Sequence, residues 1–276
     1  AAAPAWTLAQ IKLLLENINS DAMPKVMIFA LDPPWFNDHY IGDSFPAPVN
    51  DFQNIFLANR SFLRDILKGE KFNIEFYVKR IEPGSGRERA LGLRAIRDGH
   101  GFRNDGSEQY GDFLMAHWLS QGQQRQHHLD LMRNGKEIYP FGDEVSKSRL
   151  DLLRSILNIA RQHKIFVIGF LPSYMPTLWQ EMIQNKNDVY ISKVTKSLQS
   201  VFREYKYPFH DYSNGSWCGA KDDDFFDGWH ASERANLQLY MDIVSKEPVL
   251  QTYSDCSGLA KVLQNATSTW NVFGNN

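Results

Sequence analysis

Ile165-Phe166-Val167-Ile168-Gly169-Phe170-Leu171, closed by Pro172, is the stretch on which the fold turns. It is apolar throughout, where a half-buried strand would alternate, and this is the pattern of a strand covered on both faces of a parallel sheet. It follows an amphipathic helical stripe over residues 148–163 and stops at a proline. The same design occurs nearer the start. A helical stripe at Leu8-Ala9-Gln10-Ile11-Lys12-Leu13-Leu14-Leu15 precedes the apolar run Val26-Met27-Ile28-Phe29-Ala30-Leu31, which Asp32-Pro33-Pro34 ends. A third unit pairs a helix over about 191–205 with a strand over 207–212. Helix, buried strand and proline-stopped loop, repeated, make the βαβ crossover of a parallel sheet, in which sites gather at the carboxyl ends of the strands.

The frame is that of an ordinary globular α/β chain. Its 276 residues, 43% hydrophobic and 22% charged, are enough to bury a sizeable core in one large domain. A net charge of −2, with Lys and Arg scattered along the chain, argues against nucleic acid as a partner. No apolar run reaches membrane-spanning length and no signal-peptide pattern is present. Ala1-Ala2-Ala3-Pro4-Ala5 reads as neither a native start nor a targeting segment.

Residues 49–142 read as an insertion into this domain. Within it, 73–78 reads as a strand, 82–86 as a loop and 87–97 as a basic helical stretch. The glycine-dense segment from Gly99 to Gly111 contains the turn signal Asp105-Gly106. It is either a structured surface loop or an active-site lid offering Arg103 to an anionic group and Tyr110 for stacking.

The chemistry is concentrated in Phe225-Phe226-Asp227-Gly228-Trp229-His230, followed by Ala231-Ser232-Glu233. An Asp three residues before a His lets the carboxylate accept from imidazole Nδ1 and leaves Nε2 free as a base. Ser232 reads as the N-cap of a helix carrying Leu237, Tyr240, Met241 and Val244. The alternative is an exposed turn whose acidic run Asp222-Asp223-Asp224 is solvated. His127-His128 read as a solvated helix face, and His100 and His210 lack a supporting motif. Cys218 and Cys256 either form a disulfide, which would suit an oxidising compartment, or are two unrelated thiols.

Taken together, the run Lys25 to Asn37 with its Pro-Trp-Phe, the segment Gly101-Phe102-Arg103-Asn104-Asp105-Gly106-Ser107-Glu108-Gln109-Tyr110-Gly111 and the closing Asp227-Gly228-Trp229-His230 resemble the SGNH (GDSL-type) hydrolase and acyltransferase superfamily. The likeness is to its extracytoplasmic branches, those of the teichoic acid D-alanyl transfer protein and the polysaccharide O-acetyltransferases. The resemblance implies a flavodoxin-like three-layer parallel sheet and a Ser-His-Asp mechanism without a cofactor. It gives His230 as base, Asp227 as its orienting partner, Asn37 as oxyanion donor and Trp35 as a wall of the site. Trp229, with Trp35 and Trp217, offers a surface for a sugar ring.

Gly42-Asp43-Ser44 spells the superfamily's nucleophile signature, so Ser44 is a candidate nucleophile, but no buried strand immediately precedes it. The order of the motifs instead places the nucleophile strand upstream of residue 1, and Ser107 is a turn residue. The function implied is a serine-type esterase or O-acyltransferase acting on an acyl ester of a cell-envelope glycan or polymer. Its expected partners are that substrate and a membrane acyl-donor protein, outside the cytoplasm, with a membrane anchor in a segment ahead of the chain. The alternative is a catalytically silent binding module of the same fold that recognises a glycan or a partner protein.

Overall fold

The computed structural model describes residues 7–40 and 121–273, together with the backbone of short strands at 90–91, 101–103 and 108–109. The chain divides into two compact units, Ala1–Asp43 with Phe113–Gly274, and Ser44–Asp112 with Asn275–Asn276. The inserted unit is therefore shorter at its far end than the 49–142 reading.

The larger unit is α/β. Helix α1 (Leu8–Asn17) starts at a capping box in which Thr7 and Gln10 exchange hydrogen bonds. Strand β1 (Val26–Ala30) follows, and after it a 3₁₀ turn Pro33–Phe36. The smaller unit contributes β2 (Ala90–Leu91), β3 (Gly101–Arg103) and β4 (Glu108–Gln109). The larger unit then continues with α2 (Gln121–Arg133), α3 (Lys147–Gln162), β5 (Phe166–Leu171), α4 (Pro176–Gln184), α5 (Ile191–Glu204) and β6 (Phe209–Asp211). It closes with α6 (Glu233–Lys246), α7 (Pro248–Gln251) and α8 (Cys256–Asn265).

Among the described residues β1, β5 and β6 form a parallel sheet in the order β1-β5-β6. Side chains alternate across β5, so the sheet serves two cores. Val167 and Leu171 join Leu153, Ile156, Leu157, Leu198 and Phe202 from α3 and α5. Ile168 turns the other way, to Leu239, Ile243 and Val244 of α6. Gly169 is required where α5 presses closest, because a Cβ there would lie 2.2 Å from the Phe202 ring. Strand β1 departs from the expectation of burial on both faces. In the described sheet it has a partner on one side only, and Ile28 stays 38% exposed.

In the smaller unit β2, β3 and β4 pair antiparallel, with Ala90 opposite Arg103 and Phe102 opposite Glu108. This corrects one sequence reading: Ala90–Leu91 is extended, not part of a basic helix over 87–97. The glycine-dense segment, read as a structured surface loop or a lid, carries the two paired strands β3 and β4. Hydrogen bonding across the ladder outweighs the weak helical pattern of the basic stretch. The 73–78 strand reading lies outside the described residues, as do Ser44, His100, Ser107 and Tyr110, and Arg103 is described in its backbone alone.

Candidate active site

The loop 225–231 is built to hold one carboxylate still. Phe225 and Ala231 form an antiparallel bridge, and Phe226 N donates to His230 O at 2.9 Å. The acidic run before it is partly an anchor, although Asp223 stays exposed to solvent. Asp222 accepts from Thr177 N and Oγ1 at the start of α4, and Asp223 pairs with Arg125 of α2 at 2.8 Å. Arg125 also donates to Phe225 O at 3.1 Å. Met175, just past the carboxyl end of β5, donates its N–H to Gly228 O at 2.9 Å, which docks the loop at that end of the sheet. On the far side Ser232 caps α6, accepting from Ala235 N.

Asp227 is 5% exposed. Its Oδ1 accepts from Trp229 N and His230 N, each at 2.9 Å, and its Oδ2 lies 2.6 Å from His230 Nδ1. Burial alone would push this carboxyl up. The hydrogen bond and charge of His230, the charge of His128 and the Trp229 amide outweigh burial and hold it down at about 2. Asp227 thus stays ionised at neutral pH and fixes the imidazole by its Nδ1, in a side chain that is 47% exposed. Trp229 stands edge-on to the His230 ring with centroids 5.2 Å apart. Its Nε1 is buried and has no hydrogen-bond partner among the described residues.

A second imidazole, unforeseen in the sequence, stands beside the same carboxylate. His128, on α2, has Nε2 3.8 Å from Asp227 Oδ2 and Nδ1 2.9 Å from Tyr139 Oη. Burial depresses the His128 pKa, and the Asp227 charge opposes that only in part. Gly228 makes room for the arrangement. A Cβ there would stand 2.6 Å from Leu178 Cδ1, 2.9 Å from Tyr139 Oη and 3.2 Å from His128 Cβ. Adjacent histidines on a helix resemble a solvated pair, and nothing in their spacing points to Asp227, almost a hundred residues later.

Other expected site residues serve elsewhere. Asn37 is 1% exposed and donates both Nδ2 hydrogens, to Pro140 O at 2.7 Å and Phe141 O at 3.2 Å, while its Oδ1 accepts from His39 N. Its amide holds the chain segment after α2 and has no donor left for an oxyanion. Trp35 belongs to the main core, at 9% exposure. Trp217 lies tilted against Tyr212, with ring centroids 4.7 Å apart, and donates to Ser173 Oγ, and His210 pairs with Glu247 at 2.7 Å. Cys218 and Cys256 are both free, so the disulfide reading is overturned: Cys256 lies exposed at the start of α8 and Cys218 contacts Gly215 O.

Among the described residues no group of three or more His, Cys, Asp or Glu side chains is arranged to hold a metal ion, and no helix is long and apolar enough to cross a membrane. No family model, curated protein or solved structure matches the chain. An imidazole fixed by a buried, ionised carboxylate at the carboxyl end of a parallel sheet can act as a general base and then as a general acid.

Proposed function

We propose that this protein is a hydrolase or acyltransferase of the Ser-His-Asp type, built on an SGNH-like, flavodoxin-like three-layer fold. More particularly, it is an esterase or O-acyltransferase acting on an acyl ester of a cell-envelope glycan or polymer. One observation carries the reading: Asp227, buried and held ionised, grips His230 Nδ1 at 2.6 Å, and the His230 side chain is 47% exposed. That arrangement suits proton removal from a hydroxyl nucleophile. As the nucleophile's oxygen bonds to the ester carbonyl carbon, its proton passes to His230 Nε2, and the imidazolium is stabilised by Asp227. The acyl group then leaves the enzyme on water or on a sugar hydroxyl. An extracytoplasmic location and a membrane acyl-donor partner rest on the family resemblance alone, since both thiols are free.

A fluorophosphonate probe tests the reading, because it labels a serine that a neighbouring base activates. Labelling is expected in the wild type and absent in His230→Ala, and peptide mapping names the serine, with Ser44 the candidate inside this chain. If the protein takes up no probe and turns over no ester but binds acylated glycans, it is a binding module instead.

A further inference from the structure

A second carboxylate stands at the same end of the sheet. Asp32 directly follows Leu31, whose N–H donates to Phe170 O of β5, and Asp32 O accepts from Trp35 N at 3.0 Å. Its backbone is thereby pinned at the carboxyl end of β1. Tyr174, just past β5, and the loop holding His230 come to the same place, the latter through the Met175–Gly228 hydrogen bond. The charged or titratable groups that interact with Asp32 come from four segments: His230 on its loop, Tyr40 after the 3₁₀ turn, Tyr139 after α2 and Tyr174 after β5. Among the described residues no lysine or arginine belongs to this set, and no hydrogen bond reaches the Asp32 carboxyl. Tyr174 Oη is fully buried and likewise without a partner.

Asp32 retains some contact with solvent, yet protein encloses it enough for desolvation to raise its carboxyl to about 6, against the opposing charge of His230. Asp227 is held at about 2. Two carboxyls pushed in opposite directions around one imidazole divide the work of a site: the low one stays charged, and the high one can carry a proton. Structural ion pairs also shift carboxyls, but among the described residues Asp32 has no cationic side chain acting on it other than His230.

We propose that Asp32 is a second acid–base group of this site, trading protons with the chemistry that His230 serves while Asp227 only orients the ring. The identity of the step rests on the ester reading above; the pairing of Asp32 with His230 does not. When the attacking hydroxyl bonds to the carbonyl carbon, His230 Nε2 takes its proton. Collapse of the tetrahedral adduct breaks the bond to the leaving oxygen, and the Asp32 carboxyl gives its proton to that alkoxide. The imidazolium then returns a proton to the Asp32 carboxylate, directly or through one water, and both groups are restored.

The test joins a titration to a comparison of leaving groups. Carbon-13 carboxyl NMR of the wild type is expected to show Asp32 titrating near pH 6, and in Asp32→Asn the His230 ring is expected to titrate at lower pH. In kinetics, Asp32→Asn is expected to lose about 10²–10⁴-fold on an alkyl acetate, whose alkoxide must be protonated. It should lose little on p-nitrophenyl acetate, whose phenolate leaves without a proton. The wild-type rate on the alkyl ester should fall as pH rises through 6, and that limb should vanish in Asp32→Asn. An Asp32 that titrates in the ordinary carboxylate range, a His230 titration indifferent to the substitution, or equal losses on both esters would overturn the proposal. Coupled titration in a protein that cleaves neither ester would keep the pairing and remove the ester reading.

Discussion

Replacing Asp32 by asparagine should make the protein more stable at neutral pH, and the size of the gain follows from its surroundings. The carboxyl is raised from 3.8 to about 6, with burial as the larger cause. A group whose native pKa lies above its unfolded value binds its proton more tightly in the folded state. Its favourable contribution is therefore complete below about pH 4 and is lost as pH rises through 6. Two units at about 1.36 kcal/mol each put the loss near 3 kcal/mol, and solvent on the open side of the carboxyl reduces this to about 2 kcal/mol. Asparagine keeps the shape and carries no charge to desolvate. Urea unfolding of wild type and Asp32→Asn at half-unit steps from pH 4 to 8 should give curves that coincide near pH 4 and separate by about 2 kcal/mol above pH 7, a rise in Tm of roughly 4–8 °C. A variant no more stable than wild type at pH 7.5, or a difference that does not change with pH, would refute the account of Asp32 as an enclosed charge that His230 offsets only in part. A stabilised variant with impaired turnover of alkyl esters would be the usual exchange between stability and a strained site.

Asp227→Asn should behave in the opposite sense. The native carboxyl is depressed to about 2, so its contribution of about 2 kcal/mol is present above pH 4 and lost as pH falls toward 2. The asparagine variant should unfold at lower urea at pH 7, with the gap closing in acid, and ester turnover should drop about 10⁴-fold because the imidazole loses its orienting acceptor. Gly228→Ala places a methyl group against Leu178 and Tyr139 and should cost about 1–3 kcal/mol by thermal unfolding. Tyr139→Phe removes the hydroxyl beside His128 Nδ1 and should cost about 1 kcal/mol by urea unfolding, with no change in slope. Because both cysteines are free, a reducing agent should leave Tm unchanged, and the exposed Cys256 should react with a thiol reagent in the native protein.

What the sequence alone determined is local. Apolar runs stopped by prolines specified β1 and β5, helical stripes specified α1, α3 and α5, and Ser232 announced the start of α6, because each depends on neighbours within a turn or two. The Asp227–His230 contact belongs to the same class, since three residues of a tight loop are enough to bring carboxylate and imidazole together. Tertiary structure alone decided the rest. The sequence pattern of β1 matches that of β5, yet only the packing of the folded chain leaves Ile28 38% exposed while Ile168, its partner in register, is buried. Asn37 has the right residue type for an oxyanion donor, and carbonyls more than a hundred positions away consume its amide. His128, Tyr139 and Asp32 reach the site from three separate segments. Their role depends on how much water and which charges surround them, and that environment exists only once distant stretches of chain have packed together.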